Sequence, residues 1–186
     1  MASVAHPRLD NLLASLSLNL ADETVAALER VSGLTGSATA GLLALAEFLD
    51  ESHIGRLADV LGLTHSGAVR VVSQLEGAGL AVRRTGADRR RVEVRLTARG
   101  RRRARAARAA RDAVVRATTS ALTKDEAARL EGLLAKLIEA RLTARLAGRR
   151  AGVSIAWWCR TCDFSACGRP VGRCPAQSTA AQGAQH

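Results

Sequence analysis

A mainly α-helical fold carrying one small β element is predicted by three observations. Apolar residues recur at helical spacing along most of the 186 residues, while only two short stretches, LAVRR and VEVRL, alternate apolar and charged residues at the period of a half-buried strand. The only aromatics are Phe48, Phe164, Trp157 and Trp158, so the core has to be built from Leu, Val and Ala, which favours helices over a sandwich or barrel. With 47% apolar and 24% charged residues, the chain can bury a core, and its length suits one compact domain or one domain plus an appendage.

The elements follow in order. Residues 9–31 place Leu9, Leu12, Leu13, Leu16, Leu20, Val25, Leu28 and Val31 on a helical period, predicting one long helix with a break expected near Asp22. Residues 36–53 predict a second, fully apolar helix in the core, capped by Ser37 or Gly36. Ile54, Leu57, Ala58 and Leu61 then mark a short helix ending at Gly62, where glycine takes a left-handed conformation without a Cβ clash. Thr64 caps the next helix, which turns Ala68, Val69, Val72 and Leu75 inward and closes at Gly77 and Gly79. Two short helices around a Gly-Leu-Thr turn outline a helix-turn-helix over 54–79. The two strands joined by TGADRRR come next, over 80–97, as the wing of a winged-helix domain. From Thr97 the helical period returns, and a final helix opens with Thr123 and Glu126 in capping-box spacing, carries Leu130, Leu133, Leu134, Leu137 and Ile138 on one face, and is expected to end at Gly148. That divides the chain into a winged-helix domain over 1–148, a cysteine-rich tail over 149–178 and a frayed end over 179–186.

Two stretches give this outline a family. LADVLGLTHSGAVRVVSQLEGAGL resembles the helix-turn-helix of the MarR (multiple antibiotic resistance regulator) family of bacterial winged-helix transcription factors, and DRRRVEVRLTARG resembles the family's wing. The element order matches over about residues 9–147. The resemblance implies a homodimer whose first and last helices interleave, each protomer presenting one recognition helix and one wing to a pseudopalindromic operator. On the recognition helix, over 64–78, Arg70 matches the family's arginine that grips a phosphate or reads guanine. His65 and Ser66 are placed to reach bases or phosphates from the helix start, and Ser73 and Gln74 lie on the same exposed face. Val69 stands where the family usually has Ser or Thr. In the wing, the resemblance places Arg90 in the minor groove, Asp88 beside it as the acid that holds it, and Arg89 and Arg91 on phosphates.

Charge points the same way. The formal charge is +11 with a pI of about 11.3, which calls for a polyanionic partner unless it reflects codon bias alone. Residues 81–111 hold thirteen arginines against two acids, Asp88 and Glu93, an excess equal to the whole formal charge. Codon bias would have spread it. Arg105, Arg108 and Arg111 fall on one helical face, where they either solvate the helix or bind an acidic ligand.

All four cysteines, Cys159, Cys162, Cys167 and Cys174, fall in the last thirty residues, behind the Trp157–Trp158 pair. The C-x2-C-x4-C-x6-C spacing can supply four thiolates to one metal, with Gly168, Pro170 and Gly172 providing the turns and Arg160, Arg169 and Arg173 lowering the thiol pKa values. Structural or sensory zinc, an iron–sulfur cluster and a metal-free thiol switch stay open. The tryptophans are expected to pack this knuckle onto the preceding helix or the dimer partner. The tail is an addition to the family pattern, so no role is inherited. Its place behind the dimerisation helix suggests that a metal or redox event there alters the angle between protomers.

No apolar run approaches the roughly 20 residues of a membrane span, and the N-terminus lacks a secretory pattern, so a cytoplasmic protein is expected. No nucleophile with an adjacent base, phosphate loop or zinc-protease motif emerges, which argues against an enzyme. The function read from the sequence is a sequence-specific transcriptional regulator, expected to repress, that responds to a small-molecule or redox effector. The alternative is a structural protein that uses the arginine block without an operator.

Overall fold

The computed structural model describes residues 6–85 and 92–183. It is mostly helical with one small antiparallel sheet. Helix α1 (Pro7–Ser32) is unbroken at Asp22: proline at its start supplies a preset φ, and Gly33 closes it in the left-handed conformation with its N–H on the Glu29 carbonyl. The central helix α2 (Gly36–Glu47) is shorter than the apolar run suggested, because Phe48 leaves the helix and residues 52–53 pair in the sheet. Neither Ser37 nor Gly36 caps it through a side chain. Instead the Glu29 carboxylate accepts the Gly36 N–H at 2.9 Å, so the end of α1 satisfies the start of α2.

Strand β1 (Ser52–His53) was not foreseen in the sequence, since two residues carry no period. It pairs with β3 (Val92–Leu96), which also pairs with β2 (Ala81–Thr85), giving a three-stranded sheet in the order β1-β3-β2. Between β1 and β2 lie α3 (Ile54–Leu61) and α4 (His65–Gly77). His53 Nδ1 accepts the Arg56 N–H at 3.1 Å as the cap of α3, a role the sequence reading did not give it.

The core gathers around α2, whose Leu42, Leu43 and Leu45 are fully buried against Leu57, Val60, Val72, Leu75, Leu80 and Val94. On α4 the inward face includes Val71, while Val69, expected inside, is only half-buried. Helix α5 (Ala98–Thr119) lies along α1 and begins at a close approach. The Thr97 hydroxyl accepts the Gly100 N–H at 2.9 Å and donates to the Gly79 carbonyl at 2.9 Å, while the Thr97 N–H bonds the Leu80 carbonyl. A Cβ on Gly100 would overlap that Leu80 carbonyl. The Leu-Thr-x-x-Gly pattern after the wing is therefore a packing requirement.

Helix α6 (Lys124–Arg150) opens with the expected Thr123–Glu126 capping box and runs past Gly148 to Arg150. The end expected to fray contains a further helix, α7 (Pro175–Gly183), which packs on α6. Leu142 of α6, Cys174 and Ala176 form a small second core with Ile138, Leu146 and Trp158 at its rim.

Between α6 and α7 the chain folds back across α2 and α3. The backbone N–H of Trp157 donates to the Val60 carbonyl at 2.8 Å, and the backbone N–H of Phe164 donates to the Glu47 carboxylate at 2.7 Å. The rings of Phe164 and Phe48 stack at 5.1 Å, and those of Phe48 and Trp157 at 6.4 Å. Arg108 of α5 places Nη2 at 2.6 Å from Glu47, with the two side chains only 18% and 13% exposed. The alignment is too poor for a hydrogen bond, so the contact is chiefly ionic.

Two outcomes follow from this packing. Gly100→Ala should destabilise the chain by about 2 kcal/mol or more in urea unfolding, because the obstacle is backbone and cannot rotate away. Glu47→Ala should cost about 3 kcal/mol in the same measurement, since it strands the half-buried Arg108 charge as well as removing the acceptor of Phe164.

Candidate nucleic-acid interface and cysteine centre

The exposed face of α4 begins at its cap. Thr64 accepts the Gly67 N–H at 3.2 Å and lies 3.1 Å from the Ser66 hydroxyl, which sets the helix start with its free N–H groups outward. His65, Ser66, Arg70, Ser73 and Gln74 all lie on the solvent face, and Gly67 is partly covered. This brings together every recognition-helix residue singled out in the sequence.

Ser73 has an additional partner. Arg83 of β2 donates to its hydroxyl at 3.0 Å and forms an ion pair with Glu76, and the Glu76 carboxylate also accepts the Arg83 N–H. Helix α4 is thereby clamped to β2. Asp88, Arg89, Arg90 and Arg91 lie outside the described residues, so their expected groove contacts have no structural account here. The strands that bracket them, β2 and β3, keep the expected positions, with Arg84 opposite Glu93 and Thr85 opposite Val92.

The arginine block is less free than its charge suggested. Besides Arg83, five more of its members have partners within the chain: Arg95 pairs with Glu51 at 3.1 Å, Arg101 donates to the Leu96 carbonyl, Arg103 to the Val31 carbonyl, Arg108 meets Glu47, and Arg111 binds Asp112 and the Thr161 carbonyl. Arg108 and Arg111, expected to solvate the helix or bind an acidic ligand, hold α2 and the cysteine tail onto α5. Their helical spacing was visible in the sequence, whereas the distant partners, up to 61 residues away in number for Arg108 and Glu47, carried no local signal.

The four cysteines are spread over sixteen positions of the tail. All four line one cavity of ≈ 470 Å³, together with α6 residues such as Leu134 and Ile138. They are free of disulfides, and Cys174 is buried while the other three are half-buried. Two thiol pairs lie within interaction range, Cys159 with Cys162 and Cys167 with Cys174. The hydrogen bond from the Cys162 thiol, opposed by burial and helped by the Arg169 charge, brings the Cys159 pKa down to about 7. The same bond, with burial and the neighbouring sulfurs, pushes the Cys162 thiol well up. Burial raises Cys167, against a backbone hydrogen bond from Arg169. Among the described residues no three or more His, Cys, Asp or Glu form a ready-made metal-ligand set.

Tight turns shape this region. Gly168 and Gly172 both sit at positive φ, at 77° and 71°, flanking the Arg169–Val171 turn, and the Arg173 N–H returns to the Gly168 carbonyl at 2.9 Å. The two tryptophans divide their work. Trp157 packs on the main core with Arg56 4.3 Å above its ring, and Trp158 packs on the second core beside Cys159. The expected docking on the preceding helix therefore holds for Trp158, and Trp157 goes to α2 and α3.

Among the described residues no helix is long and apolar enough to cross a membrane. No functionally curated protein matches the chain. Residues 24–91 match the model of the MarR family. Among solved structures, the chain is similar to RV1404 from Mycobacterium tuberculosis, with 24% identity and a TM-score of 0.66 over 75% of this chain and 97% of that one. It is also similar to YusO from Bacillus subtilis, with 23% identity and a TM-score of 0.64 over 72% and 94%. A third is the MarR family protein Rv2887 from Mycobacterium tuberculosis, solved in complex with DNA, with 28% identity and a TM-score of 0.58 over 72% and 98%. The fold is thus that shared by winged-helix structures of the MarR family, whose model residues 24–91 match.

Proposed function

We propose that the chain is a sequence-specific DNA-binding transcriptional regulator, acting in the cytoplasm as a homodimer on a pseudopalindromic operator and repressing transcription there. The observation that carries this reading is the outward face of α4, where a capped helix start presents His65, Ser66 and Arg70 beside a strand pair that leads into the basic segment 89–91. Arg70 reads guanine or grips a phosphate from the major groove, and Arg90 enters the minor groove from the wing with Asp88 holding it in place. The remaining exposed arginines add salt-dependent affinity by counterion release.

Two unpartnered apolar stripes support the homodimer. On α1, Leu9, Leu12 and Leu16 are 59%, 54% and 53% exposed, and on α6, Leu133 and Leu137 are 57% and 48% exposed. Large apolar faces left in water cost about 25 cal/mol per Å² relative to burial. A second copy that interleaves its first and last helices with these covers both, and it supplies the two-fold symmetry a palindromic site requires. The effector is either a small molecule or an event at the cysteines. The structural neighbour CouR from Rhodococcus jostii RHA1 is solved bound to a small molecule, p-coumaroyl-CoA (23% identity, TM-score 0.55, 73% of this chain and 95% of that one covered).

Selection of a DNA site followed by competition at fixed salt tests the reading. A regulator should prefer its selected site to random duplex by at least about 10³, whereas a structural DNA-binding protein would show no such preference. Arg70→Ala and Arg90→Ala should each weaken binding to the selected site about tenfold or more, and unchanged binding in both would overturn the assignment of the interface. Leu133→Arg should convert a dimer to a monomer in sedimentation velocity and reduce affinity for the full palindrome to that for a half-site.

A further inference from the structure

We propose that Cys159, Cys162, Cys167 and Cys174 hold one thiolate-bound metal centre, a zinc ion or an iron–sulfur cluster, and that its occupancy positions the helix-turn-helix through the contact of Trp157 with the end of α3. The first half rests on placement. The chain has no other cysteine, and all four line the same cavity beside α6. Soft thiolates in a set of four suit zinc and iron–sulfur clusters alike. The turns around Gly168 and Gly172, closed by the Arg173 N–H on the Gly168 carbonyl, fold the segment back so that Cys167 and Cys174 border the same cavity. Arg160 and Arg169 stand in the same segment, where their charge offsets that of four thiolates. On binding, the thiol protons leave to solvent.

The second half rests on where this segment docks. Cys159 is two residues from Trp157, and Trp157 is hydrogen-bonded to Val60 in the last turn of α3. Gly62 follows at φ 65°, and a Cβ there would overlap the backbone of Ala156, so the turn of the helix-turn-helix and the chain entering the cysteine segment are in direct backbone contact. Phe164, between Cys162 and Cys167, is bound to Glu47 at the end of α2. Drawing the two thiol pairs onto one centre moves the stretch that carries both anchors. The path to the recognition helix thus runs within one protomer, from Cys159 through Trp157 to Val60, Gly62 and the Thr64 cap.

The test uses the full chain purified without oxygen, analysed for zinc, iron and acid-labile sulfide, and then stripped with a chelator. One centre per chain is expected: colourless protein with zinc identifies the ion, and brown protein with iron and sulfide identifies the cluster. Cys162→Ser and Cys167→Ser should each lose it. Wild-type protein without metal, or variants that retain it, would overturn the site.

Stripping should speed amide hydrogen exchange at Leu61, Gly62, Leu63 and Trp157 by about tenfold or more. Unchanged exchange there in a chain that does bind metal would overturn the coupling. Since this readout needs neither a variant nor DNA, it decides the matter even where a substitution prevents folding. The effect on operator affinity, about fivefold or more between loaded and stripped forms, rests on the proposed function. If neither form binds DNA, that function fails, and the metal analysis and hydrogen exchange still judge the site and its coupling.

Discussion

Glu47 is the junction on which the arrangement of this molecule depends. A carboxylate at the end of the most buried helix cannot be left without compensation, because desolvating a charge costs several kcal/mol unless it is paired. One oxygen meets Arg108 from α5 and the other accepts the N–H of Phe164 from the tail. Core helix, arginine-rich helix and cysteine segment thereby meet at one side chain. The stacked rings of Phe164, Phe48 and Trp157 cover the junction on its apolar side.

This junction changes the meaning of the arginine block. Concentrated positive charge is ordinarily read as a surface for polyanions, and the exposed members, with Arg70 on α4, still serve that reading. Yet Arg83, Arg95, Arg101, Arg103, Arg108 and Arg111 each reach a carboxylate or a carbonyl of the same chain. The guanidinium suits this dual use, since its fork of donors can close on backbone and carboxylate acceptors where a lysine ammonium would offer a single point of charge. In a chain with four aromatic residues, such polar crosslinks take over part of the task of fixing one element against another.

The tail shows the same economy of aromatic residues. Consecutive residues in an extended stretch point to opposite sides, so Trp157 and Trp158 can serve two cores at once, the main one around α2 and the small one between α6 and α7. Trp157 gains a stack and a cation above its ring, whereas Trp158 lies against the sulfur-lined cavity. A segment held in this way has its cysteines on one side and the helix-turn-helix on the other.

Local features of the chain were determined by the sequence by itself. The helical periods, the Thr64 and Thr123 caps, the left-handed Gly62, the two alternating strands and the exposed face with His65, Ser66 and Arg70 all arise from residues within a few positions of one another, so each leaves a readable pattern. Only the tertiary structure decided what depended on distant neighbours. It ended α2 early to form the two-residue strand β1, took the cap of α2 from Glu29, required glycine at position 100 because the Leu80 carbonyl comes close, and turned the tail back onto α2 and α3. It also formed α7 in a polar stretch whose helical tendency is weak, because α6 lies beside it. Periodicity records which face of an element is apolar, but the partner of that face is chosen by three-dimensional packing, and no local spacing encodes it.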